Sequence, residues 1–313
     1  MGIWHWILRV IDRDLKSAPD PSLAAKKTWR YLRLAMVAMV VGLGASILQD
    51  TWRSCWQGSI SGYYYTPAQG FLVGALVTIG VCLFALKGST DLEDFLLNLA
   101  GVCAPFVALV PTPNIGDCGT VYDGRNRAVN IANNVFALLV VLTIALAVVV
   151  VLEVVNQKRR REPVLQPVER WAFGIAAVAL VALWVLFYAA RVWFALNVHN
   201  IAAIAMFFFI WLTVLVNARH LRVTRRADMR PVRRINRYTL IALLMLSVAV
   251  AHVIVASAME WTHAVFSIEA CLIILFAWFW TAQTFELWDE GLRPRTAEAE
   301  PPDAAVLAGA LDG

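Results

Sequence analysis

Eight long runs of apolar residues divide this chain, and they limit the structures it can adopt more than any other feature. A helix rises about 1.5 Å per residue, so about 20 residues are needed to cross the roughly 30 Å hydrocarbon layer of a membrane. The runs extend over residues 32–48, 70–86, 95–110, 131–152, 171–189, 198–216, 239–257 and 264–282. Leu, Ile, Val and Ala occupy every face of each run, so the runs indicate helices rather than the strands of a barrel.

The composition excludes a soluble protein. Hydrophobic residues make up 60% of the chain and charged residues only 16%, whereas about 25% of residues are charged in an ordinary soluble domain. Motifs of soluble enzymes, such as the P-loop, G-x-S-x-G and H-E-x-x-H, are absent from the sequence. We therefore expect an all-α membrane protein, a bundle of about eight transmembrane helices embedded in the lipid bilayer.

The basic residues lie mainly in alternate loops. The segments expected on one side of the membrane contain 23 of the 27 Lys and Arg residues. Because cytoplasmic loops retain positive charge, both termini are predicted in the cytoplasm. Two roles stay open for the most basic loop, Arg219–Arg237. Either it binds anionic lipid headgroups, or its positive charge only fixes the topology. No stacking aromatic residues interleave with its arginines, so we expect no nucleic-acid partner.

The ends of the chain differ from its apolar centre. Apolar residues at helical spacing in the first 16 residues, opposite a charged face, predict a short interfacial helix within a cytoplasmic segment, 1–30. The transmembrane domain is predicted over residues 31–286. The tail, 287–313, becomes rich in Pro, Ala and acidic residues, and we expect it to be disordered.

Two ionisable residues, His252 and Glu269, lie clearly within the apolar runs, where charged groups are costly. They are equidistant from the tight turn near Glu260, so an antiparallel hairpin places them at the same depth. His199, Asn200 and Asp50 are expected near the same level, toward the outer face. Three interpretations stay open: a structural clamp, a ligand or proton site, and a metal site.

The metal interpretation uses His199, His252 and Glu269 as ligands. Three nitrogen and oxygen ligands with one open position suit a catalytic zinc ion. The proton interpretation relies instead on the near-neutral titration of His and on a buried carboxyl group.

Hydroxyl and aromatic side chains cluster just before the second apolar run. If the segment is helical, Ser59, Tyr63 and Thr66 share a face, and the candidates to line the mouth of a pocket above His252 are Ser59, Ser61, Tyr63 and Tyr65. The alternative is an aromatic belt at the level of the lipid headgroups.

Five cysteines occur in the chain, and only Cys55 and Cys118 lie in polar loops. Both loops are expected outside the cytoplasm, so a disulfide bond between these two residues is a candidate.

The segment Ser59–Thr66 resembles the S-I-S-x-Y-Y-Y-T motif of a family of uncharacterised bacterial multi-pass integral membrane proteins. Further matches are Asn98–Gly101 to N-x-A-G, Val198-His199 to V-H, and Glu269-Ala270 to a Glu-Ala pair. The resemblance covers roughly residues 49–110 and 198–288, and the hairpin over residues 131–189 looks like an insertion. It implies a bundle in the bacterial inner membrane and brings no assigned activity.

The sequence predicts function only in outline. The first expectation is binding or transport of a small molecule or lipid at a polar site open to the outer leaflet. The second is a metal-dependent lipid hydrolase, supported by a fainter similarity to intramembrane zinc hydrolases of the ceramidase and adiponectin-receptor type, whose H-x-x-x-H helix is missing here. The third is a structural or accessory membrane subunit.

Overall fold

The computed structural model describes residues 21–113, 127–160, 167–227, 235–258 and 261–291, and within these ranges it contains helices and no strand. The α-helices are α1 (Pro21–Arg53), α2 (Gln69–Ala85), α3 (Asp91–Leu109), α4 (Arg127–Arg160), α5 (Pro167–Ala189), α6 (Arg191–Ala227), α7 (Arg237–Ala258) and α8 (Ala264–Glu286). A short 3-10 helix, Ser61–Tyr65, lies between α1 and α2. Each predicted apolar run falls on one of these helices, with only Leu86 and Val110 just beyond a helix end, so the all-α prediction is confirmed for the described residues.

Five of the helices, α1, α3, α4, α6 and α8, are long and apolar enough to cross a membrane. The other three, α2, α5 and α7, contain shorter apolar segments. The fold is therefore consistent with a membrane protein, and the crossing of all eight helices stays a prediction.

Helix α3 is central, because it packs along both α2 and α6. A Cβ atom built on Gly80 would lie 2.8 Å from the carbonyl oxygen of Gly101, and one built on Gly101 would lie 2.7 Å from the carbonyl oxygen of Gly80. Only glycine at both positions lets the backbones of α2 and α3 approach this closely. Helices α1, α7 and α8 complete the bundle around this pair.

The hairpin formed by α4 and α5 is peripheral. It contacts the bundle mainly through an apolar cluster that includes Phe106, Leu139, Phe187 and Phe194. Of the most apolar 18-residue stretch of α4, only 11% is buried in the protein. Such an exposed apolar surface is typical of a helix that faces lipid.

The described chain ends differ from the prediction. Helix α1 begins at Pro21 inside the predicted interfacial segment, and residues 1–20 lie outside the described ranges. After α8, Arg30 donates to the carbonyl oxygen of Trp288 at 2.6 Å, and Arg33 donates to that of Gly291 at 3.2 Å. Two cations thus bind carbonyl groups just beyond a helix C-terminus, where positive charge is favourable. The first five residues of the predicted disordered tail, 287–291, are therefore ordered against α1.

Helices α3 and α6 begin well before their apolar runs, and both early starts determine where site residues lie. Helix α3 begins at Asp91, because Thr90 caps it by accepting the backbone N–H of Glu93. Helix α6 begins at Arg191, with only Ala190 between it and α5. His199 therefore lies two turns inside α6 instead of at the start of a span.

Candidate functional site

A polar cluster joins α8, the 3-10 helix, α6 and the C-terminal end of α3. Its carboxyl group belongs to Glu269 on α8. One carboxyl oxygen, Oε2, accepts the backbone N–H of Ile60 at 2.6 Å and that of Ser61 at 3.4 Å. The other oxygen, Oε1, is 2.9 Å from the Ser61 hydroxyl. We call Glu269, Ser61, His199 and the Val110 carbonyl the Glu269 cluster.

The Ser61 hydroxyl connects Glu269 to a histidine. Its Oγ atom is 2.9 Å from Nε2 of His199, and Nδ1 of the same ring is 2.6 Å from the carbonyl oxygen of Val110. His199 is buried, with 3% of its surface exposed. The ring is therefore fixed at both nitrogens, and a continuous hydrogen-bonded chain runs from α8 through Ser61 to the end of α3.

The hydrogen bonds of the Glu269 cluster require one proton more than an ionised Glu269 and a neutral His199 provide. The Val110 carbonyl can only accept, so Nδ1 of His199 carries a proton. A neutral ring then needs a proton from Ser61 at Nε2, and an ionised Glu269 needs the same Ser61 proton at Oε1. Both bonds form together only if an added proton is bound, either on Glu269 or on His199.

His252, the other ionisable residue predicted with Glu269, is not part of the cluster. It is half-buried on α7, and within the described part of the chain no hydrogen bond or ion pair joins it to Glu269. The antiparallel hairpin sets the depth of a side chain but not the face of the helix on which it lies. The predicted clamp between His252 and Glu269 is therefore replaced by the contact of Glu269 with Ser61.

The predicted metal triad of His199, His252 and Glu269 is not assembled. Among the described residues, no group of three His, Cys, Asp or Glu side chains could hold a metal ion. Val110 and Ser61 occupy both ring nitrogens of His199, which leaves neither nitrogen pointing to an open coordination position.

Two further predicted residues, Asp50 and Asn200, make no hydrogen bond to the Glu269 cluster in the described part of the chain. Asn200 is exposed on α6, directly after His199. Asp50 is 7% exposed on α1, and its Oδ2 atom is buried without a hydrogen-bond partner. Asp50 continues the buried stripe of Leu43 and Ile47, which packs against the 3-10 helix. The structure thus places Asp50 near this region and Asn200 on the surface.

The hydroxyl side chains predicted at a pocket mouth stabilise the 3-10 helix. Ser59 accepts the backbone N–H of Gly62 at 2.9 Å. Tyr63 is fully buried, and its hydroxyl is bonded to Thr51. Tyr65, 1% exposed, donates to the Thr112 carbonyl at 2.7 Å, and burial raises the pKa of its hydroxyl, which keeps the donor protonated. Of the four predicted residues, Ser61 alone is part of the Glu269 cluster.

Cys55 is disulfide-bonded, while Cys82, Cys103 and Cys271 are free. Cys118 lies outside the described residues. The pairing of Cys55 with Cys118 therefore stays a prediction.

The segment after α3 is held at three successive carbonyl groups, which sequence reasoning did not identify. His199 contacts the carbonyl of Val110, Arg127 donates to that of Pro111 at 3.1 Å, and Tyr65 donates to that of Thr112. Arg127 also donates to the carbonyl of Ala195 at 2.6 Å, near the start of α6. The acceptor that orients His199 is thus fixed by α4, α6 and the 3-10 helix.

A second buried cluster lies at the other end of α3, α6 and α8. Glu93 on α3 accepts Nδ2 of Asn217 at 2.7 Å, Nε2 of Gln283 at 3.3 Å and the backbone N–H of Ser89 at 2.8 Å. Gln283 also donates to Oδ1 of Asn217 at 2.9 Å. We call Glu93, Asn217 and Gln283 the Glu93 cluster, and at most 2% of the surface of each residue is exposed.

The Glu93 cluster was not predicted from the sequence, because the third apolar run begins at residue 95 and so leaves out Glu93. The sequence does contain a signal for it. Thr90 and Glu93 have the T-x-x-E spacing of a capping box, which starts a helix one turn before the apolar run and places Glu93 on it.

The two clusters are separated by an apolar layer. His199 and Asn217 are about 27 Å apart along α6, and Glu269 and Gln283 are about 21 Å apart along α8. The layer between them includes Leu97, Ala100, Met206, Ile210, Leu275 and Phe276. Each cluster therefore forms its hydrogen bonds at its own end of the bundle.

Comparison with known proteins does not add a family. No protein-family model, curated protein or solved structure matches the chain.

Proposed function

We propose that the protein binds or transports a small molecule or lipid across or within a membrane, and that a proton held by the Glu269 cluster is the coupled species. The observation that supports this proposal is the single Ser61 hydroxyl between Oε1 of Glu269 and Nε2 of His199. A hydroxyl group can donate only one proton. The Glu269 cluster therefore makes one hydrogen bond more when the added proton is bound than when it is absent.

Loss of the proton would loosen the cluster at a defined point. Without it, either the bond from Ser61 to Glu269 or the bond from Ser61 to His199 is unmade. Each bond connects Ser61 to a different helix, α8 or α6. A ligand that separates these helices would therefore release the proton, and proton binding would favour the closed arrangement.

The proposal includes a topology in which all eight helices cross a bacterial inner membrane and both termini are cytoplasmic. Lys and Arg residues favour it, with 23 of 27 on one side. The same alternation places Glu93, Asn217 and Gln283 together near the cytoplasmic side and the Glu269 cluster near the outer side. The basic segment Arg219–Arg237, which begins within α6, would then face the cytoplasmic leaflet, where anionic headgroups attract it.

The test uses proteoliposomes that contain a trapped pH indicator. Fatty acids, amines and lyso-phospholipids are added one class at a time, and internal pH is followed. We expect one class to move protons faster in the wild type than in protein-free liposomes, with loss of this rate in Glu269→Gln. The exposed Glu290→Gln is the matched control and should keep the rate. Equal rates in wild type and Glu269→Gln for every class would contradict the proposal.

A further inference from the structure

We infer that Ser61 and His199 form a nucleophile–base pair for acyl transfer from a carboxylic ester, with the backbone N–H groups of Ile60 and Ser61 as the oxyanion donors. Neither the predicted metal site nor the proposed proton coupling assigns a covalent step to Ser61. The inference goes beyond the proposed function and does not depend on it.

The geometry of the pair meets the requirement for an activated serine. Ser61 Oγ and His199 Nε2 are 2.9 Å apart, within hydrogen-bond reach. A third group must fix the base so that Nε2 is the unprotonated nitrogen. Here the carbonyl of Val110, 2.6 Å from Nδ1, performs this task in place of a carboxylate.

An oxygen atom already occupies the position that an oxyanion would take. Oε2 of Glu269 accepts from the N–H groups of both Ile60 and Ser61. Two converging backbone donors beside the nucleophile are the arrangement that stabilises a tetrahedral oxyanion.

The carboxyl group of Glu269 therefore marks where an acyl group fits. One of its oxygens lies between the two donors and the other is 2.9 Å from Ser61 Oγ, so its carbon atom lies close to the nucleophile. A substrate carbonyl can take this position only after the Glu269 side chain has rotated away. In the described arrangement, the site is closed by Glu269.

The reaction balances with water as the second substrate. Ser61 Oγ forms a bond to the ester carbonyl carbon while its proton passes to Nε2 of His199. The carbon–oxygen bond to the alcohol breaks, and the alcohol leaves with that proton. Water then attacks the acyl-serine, His199 takes the proton of the water and returns it to Ser61, and a carboxylic acid is released.

The surroundings favour an ester with an apolar acyl chain. Ile60 belongs to an apolar cluster with Leu72, and Phe266, Ala270 and Ile273 of α8 pack against it. Helix α8 is long and apolar enough to cross a membrane, so a lipid ester would reach the site from the bilayer.

The experiment is covalent labelling of the purified chain with an alkyl fluorophosphonate. Ser61 Oγ would form a bond to phosphorus, fluoride would leave, and the hydroxyl proton would pass to His199. The two variants that open the site are Glu269→Ala and Glu269→Asp, the second of which keeps a carboxyl group and shortens it by one methylene. We expect each folded variant to be labelled at Ser61 at least about tenfold faster than the wild type.

Matched controls separate Ser61 from its neighbours. Added to an opened variant, Ser61→Ala should abolish labelling, and His199→Gln should slow it by about 100-fold, the usual effect of losing a general base. Ser59→Ala should change the rate less than about twofold, because Ser59 bonds to Gly62 instead of His199. Thermal unfolding of each variant verifies its fold.

Absence of label on Ser61 in both opened variants, or label that persists after Ser61→Ala, would overturn the inference. If Glu269→Ala does not fold, the Glu269→Asp result decides alone, and if neither variant folds, prolonged labelling of the wild type decides. Proton movement in the proteoliposome test does not require Ser61 to react. Loss of labelling with intact proton movement would thus reject only the inference.

Discussion

The Glu269 cluster and the Glu93 cluster use the same three helices at opposite ends of the bundle. They differ in whether the donors present supply a proton for every hydrogen bond in the cluster. Glu93 accepts from two side-chain amides and a backbone N–H, all of which can only donate at those atoms. An ionised carboxylate satisfies every one of these bonds. At Glu269 the side-chain partner is a hydroxyl shared with His199, and one added proton is needed.

A buried carboxyl group is therefore not by itself a sign of proton chemistry. What matters is whether its partners have a fixed or an exchangeable number of protons. Amide partners make the Glu93 cluster a fixed connection between α3, α6 and α8. A hydroxyl and an imidazole give the Glu269 cluster two states. A Glu→Gln substitution should therefore destabilise the protein at Glu93 and be nearly neutral at Glu269.

The largest expected effect is at Glu93. Glu93→Gln places an amide NH₂ where three donors converge, so at least one buried donor loses its acceptor. We expect the free energy of unfolding to fall by about 2–3 kcal/mol. Steric trapping in bicelles measures this quantity, with the exposed Glu290→Gln as control. A loss no larger than that of the control would remove the distinction between the clusters.

The next effect is at the shared hydroxyl. Ser61→Ala leaves Glu269 and His199 without their common partner, and we expect a loss of about 1–2 kcal/mol in the free energy of unfolding. Ser59→Ala should cost less than about 0.5 kcal/mol, because Gly62 N–H retains the Ser59 carbonyl as acceptor. Equal losses in the two variants would show that Ser61 is not the centre of the cluster.

Glu269→Gln is expected to be nearly neutral. Its amide oxygen can accept the N–H of Ile60 while its NH₂ donates to Ser61, which copies a protonated glutamate. The free energy of unfolding should change by less than about 0.5 kcal/mol near neutral pH. Because alkaline pH removes the added proton from the wild type only, wild-type stability should fall as pH rises and the variant should stay level. Thermal unfolding across a pH series tests this, and parallel profiles would contradict it.

The smallest effect is at His252. His252→Ala should lower the unfolding temperature no more than a substitution of another half-buried α7 residue, because His252 is outside both clusters. Thermal unfolding beside Val255→Ala gives that comparison. A much larger decrease for His252 would favour the clamp predicted from its depth in the hairpin.

The fold was largely predictable because each apolar run specifies a helix without reference to its neighbours. Glu269 was also predictable as a member of a polar site, since ionisable residues are rare in spans. His199 was expected near Glu269 only from its depth along its helix. The partners of these two residues were not predictable. Whether α8 turns Glu269 toward His252 or toward Ser61 depends on rotation about the helix axis, which the packing of α8 against α1 and α7 determines.

The remaining parts of the site are main-chain atoms. The carbonyl of Val110 and the N–H of Ile60 have no signature in their side chains, so a sequence pattern cannot indicate them. Both become available where regular helix ends, after α3 and before the 3-10 helix. Their position depends on tertiary contacts such as those of Arg127 and Tyr65.

We expect the Glu269 cluster to hold an added proton and the Glu93 cluster to hold none. A protonated Glu269 beside a neutral His199 avoids separating two charges inside the bundle. Infrared difference spectra at neutral pH, taken between the wild type and each Glu→Gln variant, test this directly. We expect a protonated-carboxyl carbonyl band in the wild type that Glu269→Gln removes and Glu93→Gln retains. A band that survives Glu269→Gln, or that disappears with Glu93→Gln, would contradict the assignment.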